Sequence, residues 1–274
     1  MTKKQNMLSS VTPWDMVAEG YAEITMKLFQ GYTDKALELA PLTKQSRIVD
    51  IACGPGTLAL SAAKRVNSVK AVDFSESMLA ILQETIRRQT IDNIETYFGD
   101  AQNLPYSDES FDAAFSMFGL MFFPDRKKGY REIYRTLKPG GCMVVSSWAP
   151  VSQSPAMMAM FGALKAVNPD IPDPQTDIES LENPDFFKTE LLAAGFNGAE
   201  MHLVTQSIEI DSVEKFWNDM VKGSAPIVML KNSLSDEAWQ EKCQIAIGYL
   251  NTAIGACPTS LSMDAWLGFA RKLN

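Results

Sequence analysis

The apolar positions of the chain change period several times before residue 148. Val17, Tyr21, Ile24 and Leu28 recur at helical spacing after Thr12-Pro13-Trp14-Asp15, predicting a helix with Thr12 as N-cap, Pro13 at its first position and Asp15 reaching back to the free amides. Arg47-Ile48-Val49-Asp50-Ile51-Ala52 is then a short β-branched run, the pattern of a parallel strand covered on both faces. A loop, Cys53-Gly54-Pro55-Gly56-Thr57, and an Ala/Leu-rich helix to about Val66 follow. Val69 to Asp73 reads as a second strand, leading into a helix capped by Ser75 with Met78, Leu79, Ile81 and Leu82 on its apolar face. A third strand near Glu95 to Phe98 ends at Gly99-Asp100, and a fourth runs from Phe111 to Met117. Tyr130, Ile133, Tyr134 and Leu137 mark a helix opened by Pro124-Asp125 and stopped by Lys138-Pro139-Gly140-Gly141, after which Cys142 to Ser147 is a fifth strand. Five alternations of strand and helix require a doubly wound α/β sheet with right-handed crossovers.

Beyond Trp148 the alternation stops. Ser154-Pro155 opens a methionine-rich helix, Asn168 to Pro174 is irregular, and a short helix near Phe186 to Ala194 ends at Gly195. Glu200 to Ile210 alternates as a long strand, which places His202 on a strand. Val213, Phe216, Trp217 and Met220 mark one further helix, Ser235 caps another bearing Trp239, Cys243, Ala246 and Leu250, and Ala265 to Arg271 is a closing strand.

In a doubly wound sheet, ligands sit at the carboxyl ends of the strands. Gly54 and Gly56 allow close backbone approach there, and Asp73 ends the second strand, where a carboxylate can accept both hydroxyls of a ribose. Gly54-x-Gly56-x-x-Ala59 with an acid 19 residues on also fits a dinucleotide fingerprint, so these features alone leave an NAD-dependent oxidoreductase open. Charge narrows the partners: 25 Lys and Arg against 33 Asp and Glu give a net charge of −8, which argues against nucleic acid and for a small molecule. Four scattered cysteines and a single histidine leave no zinc site or disulfide framework, and any Ser-His or Cys-His nucleophile would have to use His202. No apolar stretch is long enough to span a bilayer and no signal sequence is visible, so a cytoplasmic protein is expected.

Four segments, Val49 to Thr57, Ala71 to Leu79, Gly99 to Tyr106 and Leu137 to Gly141, occur in an order that resembles the class I S-adenosylmethionine-dependent methyltransferases. The likeness is nearest to the branch with the ubiquinone and menaquinone biosynthetic enzymes and many small-molecule methyltransferases, and it covers residues 47 to 148 most firmly. It implies one methyltransferase domain over 1–274, a Rossmann-like seven-stranded sheet whose last strand lies antiparallel beside the fifth, and helical lid insertions at 149–186 and 211–258. The cofactor implied is S-adenosylmethionine, leaving as S-adenosylhomocysteine. By the resemblance, Asp50 faces the ammonium and Ala52, Cys53, Gly54 and Gly56 hold the methionine end. Asp73 takes the ribose hydroxyls, Phe74 and Met78 flank the adenine, and Asp100 with Ala101 binds its amino group. Ser116 and Met117 line the sulfonium region, and the Tyr21 hydroxyl closes over the cofactor carboxylate.

An acidic pocket suits a cationic sulfonium better than a pyrophosphate. The chain departs from the family in having Ala52 where glycine is usual, and Phe122-Phe123-Pro124 where several small-molecule members carry histidine, so a histidine base there is excluded. Methionine and aromatic side chains in the two insertions suggest an adaptable apolar acceptor chamber. The expected activity is methyl transfer to a small, partly apolar or aromatic molecule by alignment of donor and acceptor, with catalytic residues and oligomeric state left open. An oxidoreductase and a non-catalytic cofactor-binding protein are the alternatives.

Overall fold

The computed structural model describes residues 7–171 and 181–273. Residues 172–174 of the proline-rich stretch, and part of the first expected insertion, lie outside the described residues. One seven-stranded sheet organises the chain in the order β3-β2-β1-β4-β5-β7-β6. Its strands are β1 (Arg47–Ile51), β2 (Ser68–Asp73), β3 (Ile94–Phe98), β4 (Phe111–Ser116), β5 (Leu137–Trp148), β6 (Asn197–Ile210) and β7 (Thr259–Arg271). β1 to β5 pair in parallel, and β7 inserts antiparallel between β5 and β6, with Val144 opposite Phe269. The expected sheet, including the antiparallel last strand, is the one observed.

Strand residues alternate between two cores, because successive side chains point to opposite faces. Ile48, Ala113 and Val144 join a core with Tyr32, Leu58, Leu79 and Leu82. Val49, Ala114, Met143 and Val145 join the other with Tyr130, Ile133 and Phe187. The first face is covered by α2 (Met26–Leu39), α3 (Thr57–Ala63) and α4 (Glu76–Gln89), and the second by α5 (Arg126–Thr136) and α7 (Pro184–Ala193). The chain changes face between β1 and β4, and this switch point opens a crevice at the carboxyl ends of the strands.

The N-terminal helix differs from its sequence reading in two ways. Val11 occupies the cap position with no side-chain cap, and Thr12 is the first residue of α1 (Thr12–Gly20). Asp15 does not cap its own helix: its carboxylate accepts a hydrogen bond from Ser75 Oγ at 2.6 Å. The expected single helix is also interrupted by a wider π turn at Tyr21–Thr25 before α2. Such turns recur at functional sites. Ser75 caps α4 as expected, its hydroxyl accepting from Met78 N.

After β5, α6 (Pro155–Val167) and the run α8 (Val213–Gly223), α9 (Ala225–Asn232) and α10 (Asp236–Ile254) surround the carboxyl end of the sheet. α9 has no counterpart in the sequence reading, because Pro226 sits where a break was natural and only Ala225 and Ile227 are buried. His202 lies on β6, the edge strand, 3.4 Å from the Glu200 carboxylate and outside both cavities described below. No helix among the described residues is long and apolar enough to cross a membrane.

Candidate cofactor and acceptor site

β1 delivers Asp50 beneath the glycine loop, where it is 1% exposed. Gly56, at the cap position of α3, has no side chain to satisfy the first-turn amides, and Asp50 replaces that cap by accepting from Ala59 N at 3.0 Å. Burial raises the Asp50 carboxyl to about 8, against the Ala59 bond, with Asp73 adding to the rise. Ala52, Gly54 and Gly56 all take left-handed backbone conformations. At Gly56 the demand for glycine is twofold, since φ is +91 and a Cβ would lie 2.4 Å from a Leu82 methyl.

Asp73 ends β2 with both carboxylate oxygens occupied. Gly54 N donates to Oδ2 at 2.7 Å and Ser75 N to Oδ1 at 2.9 Å, so the acid ties the glycine loop to the start of α4. Burial raises its carboxyl to about 6 despite these bonds, and Asp15 contributes to the rise. Asp100 is exposed and accepts from the backbone and side-chain amides of Gln102, which shapes the turn after β3.

These elements enclose a cavity of about 250 Å³. Of the sequence-predicted residues, Tyr21, Ala52, Gly54, Asp73, Phe74, Met78, Asp100, Ala101 and Met117 line it. Asp50, Cys53, Gly56 and Ser116 do not: Asp50 and Gly56 build the loop from below, Cys53 is buried with its thiol pushed up by burial, and Ser116 is fully buried with a hydroxyl that has no hydrogen-bond partner. Sequence reasoning missed Leu8, Ser9, Trp14 and the run Phe118, Gly119, Phe122 and Phe123. The N-terminal residues carry no motif signal, because they reach the cavity only through tertiary docking: Ser9 Oγ donates to Phe122 O at 2.7 Å and Trp14 packs on Phe122 at 5.2 Å.

A second cavity of about 750 Å³ adjoins the first. Met157, Met160, Phe161 and Leu164 of α6, Phe216 and Met220 of α8, and Leu28, Phe29 and Trp148 form much of its wall, with Glu23, Lys27, Asp211 and Lys215 among the charged residues that line it. Leu8, Trp14, Tyr21, Phe118 and Phe122 line both cavities. Tyr21 is the one ionisable side chain among those five. Burial, with Asp73 nearby, pushes its hydroxyl well above the ordinary tyrosine range, so near neutral pH it is a hydrogen-bond donor and not a base.

A sheet of this order, with an acid-lined cavity at its switch point, has the class I S-adenosylmethionine-dependent methyltransferase architecture. Residues 48–141 match a family described as a methyltransferase domain. Two curated relatives are demethylmenaquinone methyltransferases. That of Listeria welshimeri is 34% identical over 121 residues, 43% of this chain and 51% of the relative. That of Desulfitobacterium hafniense is 41% identical over 123 residues, 43% of this chain and 48% of the relative. The chain thus spans about half the length of the curated relatives it matches. The solved structure of YcgJ from Bacillus subtilis superposes with a TM-score of 0.59 at 20% identity, over 88% of this chain and 98% of that one, a likeness of fold. Residues 48–141 thus match a methyltransferase domain, and much of that region is related in sequence to the demethylmenaquinone methyltransferases.

Proposed function

We propose that the protein transfers the methyl group of S-adenosylmethionine to a small acceptor with an apolar or aromatic body. The observation that carries this reading is the pair of abutting cavities, one at the sheet's switch point lined by the buried acid Asp73 and the exposed Asp100, the other larger and walled in good part by methionine and aromatic side chains, sharing the wall Leu8, Trp14, Tyr21, Phe118 and Phe122. The donor set fits the cofactor's charge: Asp50 and Asp73 are buried acids whose carboxyls sit above the ordinary range with no ion-pair partner among the described residues, and a bound sulfonium and ammonium would return them to their ionised form.

When bound, the cofactor supplies a methyl group on a positively charged sulfur. Asp73 would hold the ribose, the Ala52 to Gly56 loop the methionine end, and Met78 and Phe74 the adenine. Asp50 acts from beneath, by fixing the first turn of α3 and adding negative potential, rather than from the cavity wall. The aromatic partition excludes water around the reacting atoms, and the reaction proceeds by alignment of acceptor and methyl carbon. The bound cofactor would give up the methyl group with its bonding electron pair left on sulfur, and an acceptor that carried a proton would release it as the new bond to the methyl carbon forms. Tyr21 stays protonated and can stabilise negative charge on an acceptor oxygen. The relatives' name makes a reduced demethylmenaquinone a natural first acceptor to try.

The test is calorimetric titration with S-adenosylhomocysteine and with NADH, then transfer of a labelled methyl group to reduced demethylmenaquinone, phenols and amines. Tight homocysteine-product binding and labelling of an apolar acceptor are expected. Tighter binding of NADH would overturn the reading in favour of an oxidoreductase, and tight product binding with no acceptor labelled would leave a binding protein.

A further inference from the structure

The chain turns sharply where β4 ends. Phe118 has φ +56, in the left-handed region that a bulky side chain enters at a cost. Its neighbours Met117 and Gly119 line the smaller cavity only, whereas Phe118 lines both. The Phe118 ring stacks on Trp148, 4.2 Å between centroids and 28° between planes, and lies 4.5 Å from the Phe29 ring. Trp148 and Phe29 line the larger cavity only.

The strained conformation is imposed from outside the turn. Phe118 N donates to Ser146 Oγ at 2.8 Å, and both residues are buried, so losing this acceptor would strand an amide away from water. Ser146 lies on β5, and β4 pairs with β5 through Ser116 and Val145, so sheet register fixes where that hydroxyl stands. Of the other residues shared by the two cavities, Leu8, Trp14 and Tyr21 belong to the N-terminal helical segment and Phe122 to a short turn further on. Phe118 is the shared residue held directly by the sheet.

We propose that Phe118 is a positioning residue for the methyl acceptor, kept in its left-handed conformation by the Ser146 hydroxyl so that its ring fixes the distance between acceptor and methyl carbon. This rests on reading the larger cavity as the acceptor's. Methyl transfer needs the reacting atoms in near-attack contact, and a displacement of about 1 Å can cost on the order of a hundredfold in rate. Phe118 meets that need because its backbone amide is tied to β5 while its ring is held against Trp148 and Phe29, walls of the acceptor side.

Ser146→Ala, Ser146→Thr and Phe118→Leu are compared with the wild type in the full chain. Affinity for S-adenosylhomocysteine is read by calorimetry, and kcat and KM are read from labelled methyl transfer to 1,4-naphthohydroquinone as the probe. With Ser146→Ala, product affinity stays within about threefold while kcat falls by at least about thirtyfold, and Ser146→Thr, which keeps the hydroxyl, recovers most of that loss. Phe118→Leu, which removes the ring itself, lowers kcat by at least as much as Ser146→Ala, again with product affinity within about threefold. Wild-type kcat in Ser146→Ala, or product affinity falling in step with kcat, overturns the proposal. If the wild type does not methylate the probe, the functional reading fails for that acceptor, and the turn is read without turnover. Binding of 1-anilinonaphthalene-8-sulfonate to protein saturated with S-adenosylhomocysteine should then weaken at least fivefold in Ser146→Ala, and unchanged dye binding overturns the proposal. Should Ser146→Ala fail to fold, Phe118→Leu carries the same two readouts.

Discussion

The two cavities hold opposite kinds of free energy in reserve. The smaller one is made by loop backbone and buried carboxylates: three left-handed residues in five, and two acids whose carboxyls burial has raised. The larger one is made by side chains, methionine and aromatic groups from α2, α6 and α8 around roughly three times the volume. The first has two acids and no Lys or Arg in its lining, while the second has Lys27 and Lys215 beside its acids and far more room. A cation answers the one and a bulkier body with a large apolar part the other, so the difference between the cavities supports two ligands meeting at one wall.

The sharpest way to break this contrast is pH, because the two carboxyls that burial raises, Asp73 and Asp50, belong to the smaller cavity and the loop beneath it. The Asp73 and Asp50 carboxyls stand at about 6 and about 8 in the folded protein, above the unfolded value near 4. A folded state that keeps protons the unfolded state releases is most stable at low pH, and that stability is lost as pH rises from about 4 through the folded values. Asp73 alone should contribute on the order of 3 kcal/mol of such loss, and Asp50 should extend it toward pH 8. Binding of a cationic cofactor should run the other way, strengthening as pH rises through about 6. Denaturant melts of ligand-free protein between pH 5 and 8.5 check the first, and titrations with S-adenosylmethionine, which carries the sulfonium, over the same range the second. Stability that rises across that interval would show that these acids are not held protonated by burial.

Asp73→Ala should weaken S-adenosylhomocysteine binding by about 2–3 kcal/mol, through loss of charge-assisted hydrogen bonds and of the amide tie between Gly54 and Ser75. Dye binding in the larger cavity should be nearly unchanged. Unaltered calorimetric affinity would place the ribose elsewhere.

How much of each cavity was legible follows from how each is built. The smaller cavity was readable because it depends on residues adjacent in sequence at strand ends: Gly54 and Gly56 where φ is positive, and Asp73 where β2 stops. Asp50 was legible as an important acid but not as a substitute helix cap, a role visible only once Gly56 stands at the start of α3 and Ala59 N faces the strand. Of the wall between the cavities only Tyr21 was legible. Phe118 looked like one apolar residue in an apolar run, since its left-handed turn is set by Ser146 on another strand. Trp14 likewise reaches the site through docking of α1 against α4 and α9, which no local pattern encodes.

Ala52, where the related family usually has glycine, presses against Gly119 within the lining of the smaller cavity. A Cβ on Gly119 would stand 2.4 Å from the Ala52 Cβ, so the methyl group on the loop is accommodated because the turn has none. Gly119 has φ −98, which alanine can adopt, so Gly119→Ala tests sterics alone. The overpacking should cost about 1–3 kcal/mol in thermal or denaturant unfolding. Ala52→Gly also removes a left-handed alanine, and the double variant should recover most of the loss, a coupling between neighbours that a double-mutant cycle measures. Additive losses would mean that the two positions do not press on each other.

The smallest effect expected is at Asp15, and it isolates charge from geometry. Its exposed carboxylate accepts from Ser75 Oγ, and Ser75 N in turn holds Asp73, so α1 is fastened to the smaller cavity through one serine. Asp15→Asn keeps an oxygen to accept that bond and removes the negative charge that helps to raise the Asp73 carboxyl. The pH midpoint of cofactor binding should therefore move down. At pH 8, where Asp73 is ionised in either protein, affinity should fall by less than about threefold, since an exposed charge acts on its surroundings through solvent. Asp15→Ala breaks the bond as well and should add a loss at every pH. If Asn and Ala variants shift the midpoint alike and lose the same affinity at pH 8, the Ser75 bond contributes nothing and Asp15 acts by charge alone; an unmoved midpoint in Asp15→Asn would instead leave burial as the sole cause of the raised Asp73 carboxyl.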